Sequence, residues 1–160
     1  MRNLKAIVIT LAAALLLTLL PMPDWAIWAR PAWVLLVLIY WVMMTPSQVN
    51  IGVAWSTGLL LDLLTGTLLG EHALALTIVV YMVCRLRMRI NMYPLLQQSF
   101  SILVFVSTYQ LILYAVQGSI GNAPHTHLYW LSSLTSMLLW PWLYSVMKDY
   151  SRWFRIVMAE

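Results

Sequence analysis

The sequence predicts an all-α integral membrane protein, a bundle of six transmembrane helices. Three observations carry that prediction. Hydrophobic residues make up 62% of the 160 positions and charged residues only 9%. Soluble domains carry about 25% charged residues, too many to be matched here. The apolar stretches, such as Leu11–Leu17 and Val34–Met44, are continuous. A membrane β-strand would alternate apolar and polar positions over about ten residues. Finally, the basic residues gather in clusters at the ends of those stretches, as the positive-inside rule describes.

Six segments follow in order. The first, about Leu4–Leu20, has Arg2 and Lys5 at its start and is stopped by Pro21 and Pro23. It has the basic start and apolar body of a signal peptide, but Pro21-Met-Pro-Asp-Trp25 is a poor processing site. An uncleaved first helix is expected. The second segment, about Ala32–Met44, has Pro31 placed for a first helical turn and Pro46 beyond its end. The third is about Val49–Thr65, and the fourth about Glu71–Cys84. The fifth is about Leu95–Gln117, closed by Gly118 and Gly121. The sixth is about His127–Met147, with Pro141 inside it as a candidate kink.

No charge divides the second segment from the third, since Pro31 to Leu61 has none. Two physical facts divide them. One helix there would be roughly 46 Å long, against a hydrocarbon core of ~30 Å. Pro46 would also break its hydrogen-bond ladder, and Thr45-Pro46-Ser47-Gln48 is turn-like. Charge placement agrees. Eight of the nine basic residues lie at Arg2 and Lys5, at Arg85, Arg87 and Arg89, and at Lys148, Arg152 and Arg155. Six crossings put all three clusters on one side, which the rule makes cytoplasmic, with both termini there. Arg30, the ninth, falls outside beside Asp24. Residues 1–160 then form a single multi-pass domain. The net charge of +4 reports orientation, and no nucleic-acid partner is expected. The one cysteine, Cys84, excludes an internal disulfide.

Few residues carry candidate chemistry. Gly58, Asp62, Gly66 and Gly70 recur every four positions. If the third helix runs on past Thr65, they share one face. Glycines at that spacing admit a second helix, and Asp62 becomes a polar anchor at a helix or subunit contact. The plainer alternative is an internal cap on nearby backbone or on Thr65 and Thr67. Glu71 and His72 open the fourth segment, where a carboxylate suits the helix dipole. His125 and His127 lack a third ligand, so no metal is expected. No nucleophile elbow, phosphate loop or HExxH motif occurs, and neither enzymatic activity nor a cofactor is expected. Lys148–Met158 either lies along the anionic inner leaflet or forms a solvated tail.

Taken together, Pro21-Met-Pro-Asp24, Arg30-Pro31-Ala-Trp33-Val-Leu-Leu36 with Tyr40-Trp41, Gly58-x-x-x-Asp62-Leu-x-x-Gly66-x-x-x-Gly70 and Trp140-Pro-Trp142 resemble, in order and spacing, the rod shape-determining protein MreD family of Gram-negative bacteria. Ala32 departs from the Asn common in the Arg-Pro-Asn-Trp motif. The resemblance implies a non-enzymatic scaffold of the cell inner membrane within the cell-elongation machinery. Its implied partners are MreC and, through it, the filament MreB, the RodA glycosyltransferase and its penicillin-binding transpeptidase. Arg30, Pro31 and Trp33 would form an outer-loop motif, and Gly58, Asp62, Gly66 and Gly70 a partner-helix interface. Membrane lipid is a further expected contact, and a homo-oligomer is left open. The family fold is similar to the substrate-binding subunit of energy-coupling-factor transporters. That likeness raises an alternative function, a small-molecule or lipid binding or transport subunit with an outward-open pocket.

Overall fold

The chain is almost uniformly apolar along its second segment, and that segment becomes the centre of the bundle. In the computed structural model, which describes residues 4–121 and 127–157 with side chains through 154, the described residues form six α-helices and no strand. They are α1 (Leu4–Leu19), α2 (Trp33–Met44), α3 (Ile51–Thr65), α4 (Glu71–Ile90), α5 (Leu95–Ile120) and α6 (Leu131–Val157). Single 3-10 turns, Ile27–Ala29 and His127–Trp130, precede α2 and α6.

Every residue of α2 from Val34 to Met43 is buried. A helix apolar on all sides has no face to give to water, and this one is covered by other helices rather than left to lipid. It packs against α1, α4 and α6. The outer helices bury one side and expose apolar side chains on the other, including Leu16 on α1, Leu63 on α3, Phe100 on α5 and Leu138 on α6.

The charge-free run divides where the prolines require. α2 ends at Met44, and Thr45–Gln48 forms a turn closed by the Gln48 N–H donating to the Thr45 carbonyl at 3.1 Å. The Asn50 side chain then caps α3, accepting from the N–H groups of Gly52 and Val53. Two helices outrun their sequence expectation. α4 does not stop at Cys84 but continues through Arg85, Arg87 and Arg89 to Ile90. Arginines in a last turn are favoured by the helix dipole, and hydropathy reads them as an end. At 20 residues α4 is about 30 Å long, enough for the hydrocarbon core. α6 likewise continues past Met147 to Val157 with Pro141 inside it. The Lys148–Met158 stretch is therefore helix as far as Val157. α5 passes Gly118 and closes at Gly121, which adopts φ 84°.

Stretches Ile27–Met44 and Leu95–Ile120 are each long and apolar enough to cross a membrane by length and composition. Leu4–Leu19 and Ile51–Thr65 are apolar but shorter. The second and third basic clusters share one end of the bundle. Asn91, just past the arginines, donates to the Met43 carbonyl at the end of α2. Tyr40, in the second half of α2, lies 3.5 Å from Ser151, beside Lys148 and Arg152. Arg2 and the Arg155 side chain lie outside the described residues.

Candidate functional site

The opposite end of the bundle holds the buried carboxylates Asp62 and Glu71. α3 ends at Thr65 because Gly66 takes the left-handed conformation, φ 68°, and its N–H returns to the Asp62 carbonyl. The helix does not run on, so Gly66 and Gly70 do not extend the face begun by Gly58 and Asp62. This corrects the continuous stripe the four-residue spacing suggested. Gly70, at φ 100°, leads into α4. A Cβ at Gly66 or Gly70 would meet nothing within 4 Å; these glycines are there for backbone conformation.

Gly58 is different. A Cβ there would lie 2.3 Å from the Ala73 Cα and 2.6 Å from its nitrogen. The glycine lets α3 and α4 touch backbone to backbone, so its close approach is spent inside the chain.

Asp62 sits one turn further along the same contact and is 1% exposed. Oδ1 accepts from the His72 backbone N–H at 2.9 Å and from His72 Nδ1 at 2.8 Å. Oδ2 accepts from the Gly70 N–H at 2.8 Å, and the Thr67 hydroxyl donates to Oδ1 at 3.2 Å. The first N–H groups of a helix have no partner within it. Asp62 supplies that partner for α4 from the preceding helix. A carboxylate only accepts, so the proton on the shared His72 nitrogen belongs to the imidazole. Glu71 stands in the first turn of α4, where the dipole favours a carboxylate; it is buried and also accepts from Gln117 Nε2 of α5 at 2.6 Å.

The Arg30-Pro31-Ala32-Trp33 motif ties three helices together. The Arg30 guanidinium donates to the carbonyls of Thr18 and Leu20 at the end of α1. Its own carbonyl accepts from the Ser132 hydroxyl of α6 at 2.6 Å, and Ala32 N–H donates to the Ser136 hydroxyl at 3.1 Å. Pro31 leads into α2, and the half-buried Trp33 starts it. Arg30 thus answers the negative end of the α1 dipole rather than Asp24.

A cavity of about 260 Å³ opens here, walled by Trp28, Arg30, His72, Tyr109, Gln110 and Tyr129 among others. Gln110 and Tyr129 lock one wall: Gln110 Nε2 donates to the Tyr129 carbonyl at 2.7 Å, and the Tyr129 hydroxyl returns to the Gln110 carbonyl at 3.1 Å. The alternative reading of the sequence expected a concavity with converging polar groups, and this cavity has that form. His127 lies in the 3-10 turn before α6; His125 lies outside the described residues. Sequence reasoning missed the pairings His72 with Asp62 and Gln117 with Glu71. They span 10 and 46 positions and follow no motif.

An apolar-surfaced helical bundle, with Arg85, Arg87, Arg89 and Arg152 at one end and buried carboxylates hydrogen-bonded at the other, is the architecture of a helical membrane protein. The family model described as rod shape-determining protein MreD matches residues 1–150. The chain is 34% identical over 142 residues to the "Rod shape-determining protein MreD" of Haemophilus influenzae, covering 87% of this chain and 86% of that one. The chain belongs to the rod shape-determining protein MreD family. No solved structure matches it.

Proposed function

We propose that this chain is a non-catalytic, multi-pass scaffold of the cell inner membrane that serves rod-shape determination. In this reading residues 1–160 are one domain crossing the membrane six times with both termini cytoplasmic. It binds MreC and through it links the MreB filament to peptidoglycan synthesis by RodA and its transpeptidase. The observation that carries the reading is the family match across residues 1–150. The apolar exterior and the gathering of arginines at one end support the membrane assignment.

The partner-helix surface is better sought on the exposed side of α3 than at Gly58 and Asp62. Those two are occupied by α4. Leu60, Leu63 and Leu64 are exposed on the same helix, next to that seam. A photoreactive residue at Leu63 tests this in the native membrane. Capture of a single-pass partner supports the scaffold and places its interface on α3. Capture of lipid alone, from Leu63 and from Phe100 and Leu138 in turn, would remove the partner-binding role from these faces.

A further inference from the structure

Two polar groups around the Arg30 cavity have chemistry that the protein leaves unanswered. Gln110 is 5% exposed, and its Oε1 accepts no hydrogen bond among the described residues, although Nε2 is committed to Tyr129. A buried acceptor without a donor is destabilising, and a ligand hydroxyl would relieve it. Arg30 Nε is likewise buried without an acceptor. Among the described residues no carboxylate lies within ion-pair distance of Arg30, so its charge is offset only by the carbonyls of α1. The cavity therefore presents one cationic donor and one acceptor that calls for an O–H or N–H donor, between aromatic walls.

A second feature adjoins it in sequence on two elements. Leu17 and Trp33, the chain neighbours of Thr18 and Ala32 in the cavity wall, line a nearly all-apolar cleft with Trp142 and Val146 of α6. The cleft holds about 210 Å³. Trp33 Nε1 is buried there with no acceptor among the described residues.

We propose that the Arg30–Gln110 cavity binds a hydroxylated anionic headgroup, a phosphate bearing a small polyol. The phosphate answers Arg30. A polyol hydroxyl donates to Gln110 Oε1. The apolar cleft would take an acyl chain and Trp33 Nε1 an ester carbonyl, which favours a membrane lipid over a free polyol phosphate as the source. The inference rests on the cavity being a ligand site, the alternative raised by the sequence, and it names the ligand class. The scaffold role is independent of it.

The test uses the full chain purified in non-ionic detergent with equal phosphatidylglycerol and phosphatidylcholine, and native mass spectrometry of the retained lipid. A parallel arm titrates free glycerol 3-phosphate by thermal shift. The wild type should retain phosphatidylglycerol selectively. Gln110→Leu should weaken that retention about tenfold, the loss of one well-placed buried hydrogen bond. Tyr109→Phe removes only a hydroxyl from the wall, should weaken it about threefold, and carries the test if Gln110→Leu fails to fold. Glycerol 3-phosphate binding that depends on Gln110 or Tyr109 supports the same chemistry from a soluble source. Retention of a zwitterionic or uncharged species that depends on these residues would overturn the headgroup class while sparing the ligand site. If no bound species depends on either residue, the ligand site falls too.

Discussion

Asp62 caps a helix it does not belong to: its Oδ1 receives both the backbone N–H of His72, at 2.9 Å, and the imidazole Nδ1, at 2.8 Å. Two consecutive helices are thereby locked at one end, one turn from the place where Gly58 lets their backbones meet. The carboxylate is the reason α4 can begin in a buried position at all. Without it the N–H groups of Gly70 and His72 would be donors with no acceptor and little water.

Replacing Asp62 therefore tests stability before it tests partnership. Asp62→Leu strands buried donors and should cost about 3–5 kcal/mol. Asp62→Asn keeps one acceptor oxygen and should cost about half as much. Thermal unfolding in detergent of both variants beside the wild type gives the order. A Leu variant as stable as the parent would show that α4 finds another cap. Loss of a co-purifying partner in Asp62→Leu then has meaning only where the fold is retained.

Three glycines separate steric from conformational need. Gly58→Ala drives a methyl group into the Ala73 backbone, and α3 and α4 must part; the expected cost is about 3 kcal/mol, at the upper end for overpacking. Gly66→Ala and Gly70→Ala meet no atom, and each should lose about 1–2 kcal/mol from the left-handed backbone alone. Equal losses at all three positions would contradict the close contact at Gly58.

Arg30 holds the end of α1 with two donors in a fixed fork. Arg30→Lys keeps the charge but not the fork. It should lose about 1–2 kcal/mol, and Arg30→Ala more, since both carbonyls then go unserved. Amide exchange along residues 14–20 is the local readout: it should quicken in both variants, more in Arg30→Ala. Unchanged exchange there would mean that packing against α2, not Arg30, holds this helix end.

Much of the fold was legible because hydropathy and proline act locally. Pro46 divides the uniform run Val34–Met43 from α3 whatever packs around it, but the run's burial on every side was not legible, because Leu4–Leu19 is also apolar and keeps an exposed side. The ends of α4 and α6 were less legible. Arg85, Arg87 and Arg89 look like a boundary to a hydropathy reading, yet a cation in the last turn prolongs a helix as readily as it ends a membrane span. The candidate site was half legible. Asp62 stood out as a carboxylate in an apolar run, and a cap on neighbouring groups was among its readings. The four-residue glycine spacing pointed to one helical face, but that inference needs the helix to continue, and a glycine is as able to end a helix as to line it. Gln117 and Gln110 carry no sequence signal. Their roles come from partners on other elements, met only when the helices pack.

The six-crossing topology makes a prediction that does not depend on any partner. Leu69 lies between α3 and α4, and Met92 between α4 and α5; both are well exposed. They sit at opposite ends of α4, whose 20 residues span about 30 Å. In a Cys84→Ser background, a cysteine placed at Leu69 should react with a membrane-impermeant maleimide added outside spheroplasts. A cysteine at Met92 should stay unreacted until the membrane is permeabilised. Reaction at Met92 alone would invert the orientation and put Arg85, Arg87 and Arg89 outside, against the charge asymmetry that orients membrane helices. Reaction at both positions in sealed spheroplasts would mean that α4 does not cross. Half-buried Cys84 lies on the same helix, so its removal must precede both labelling reactions.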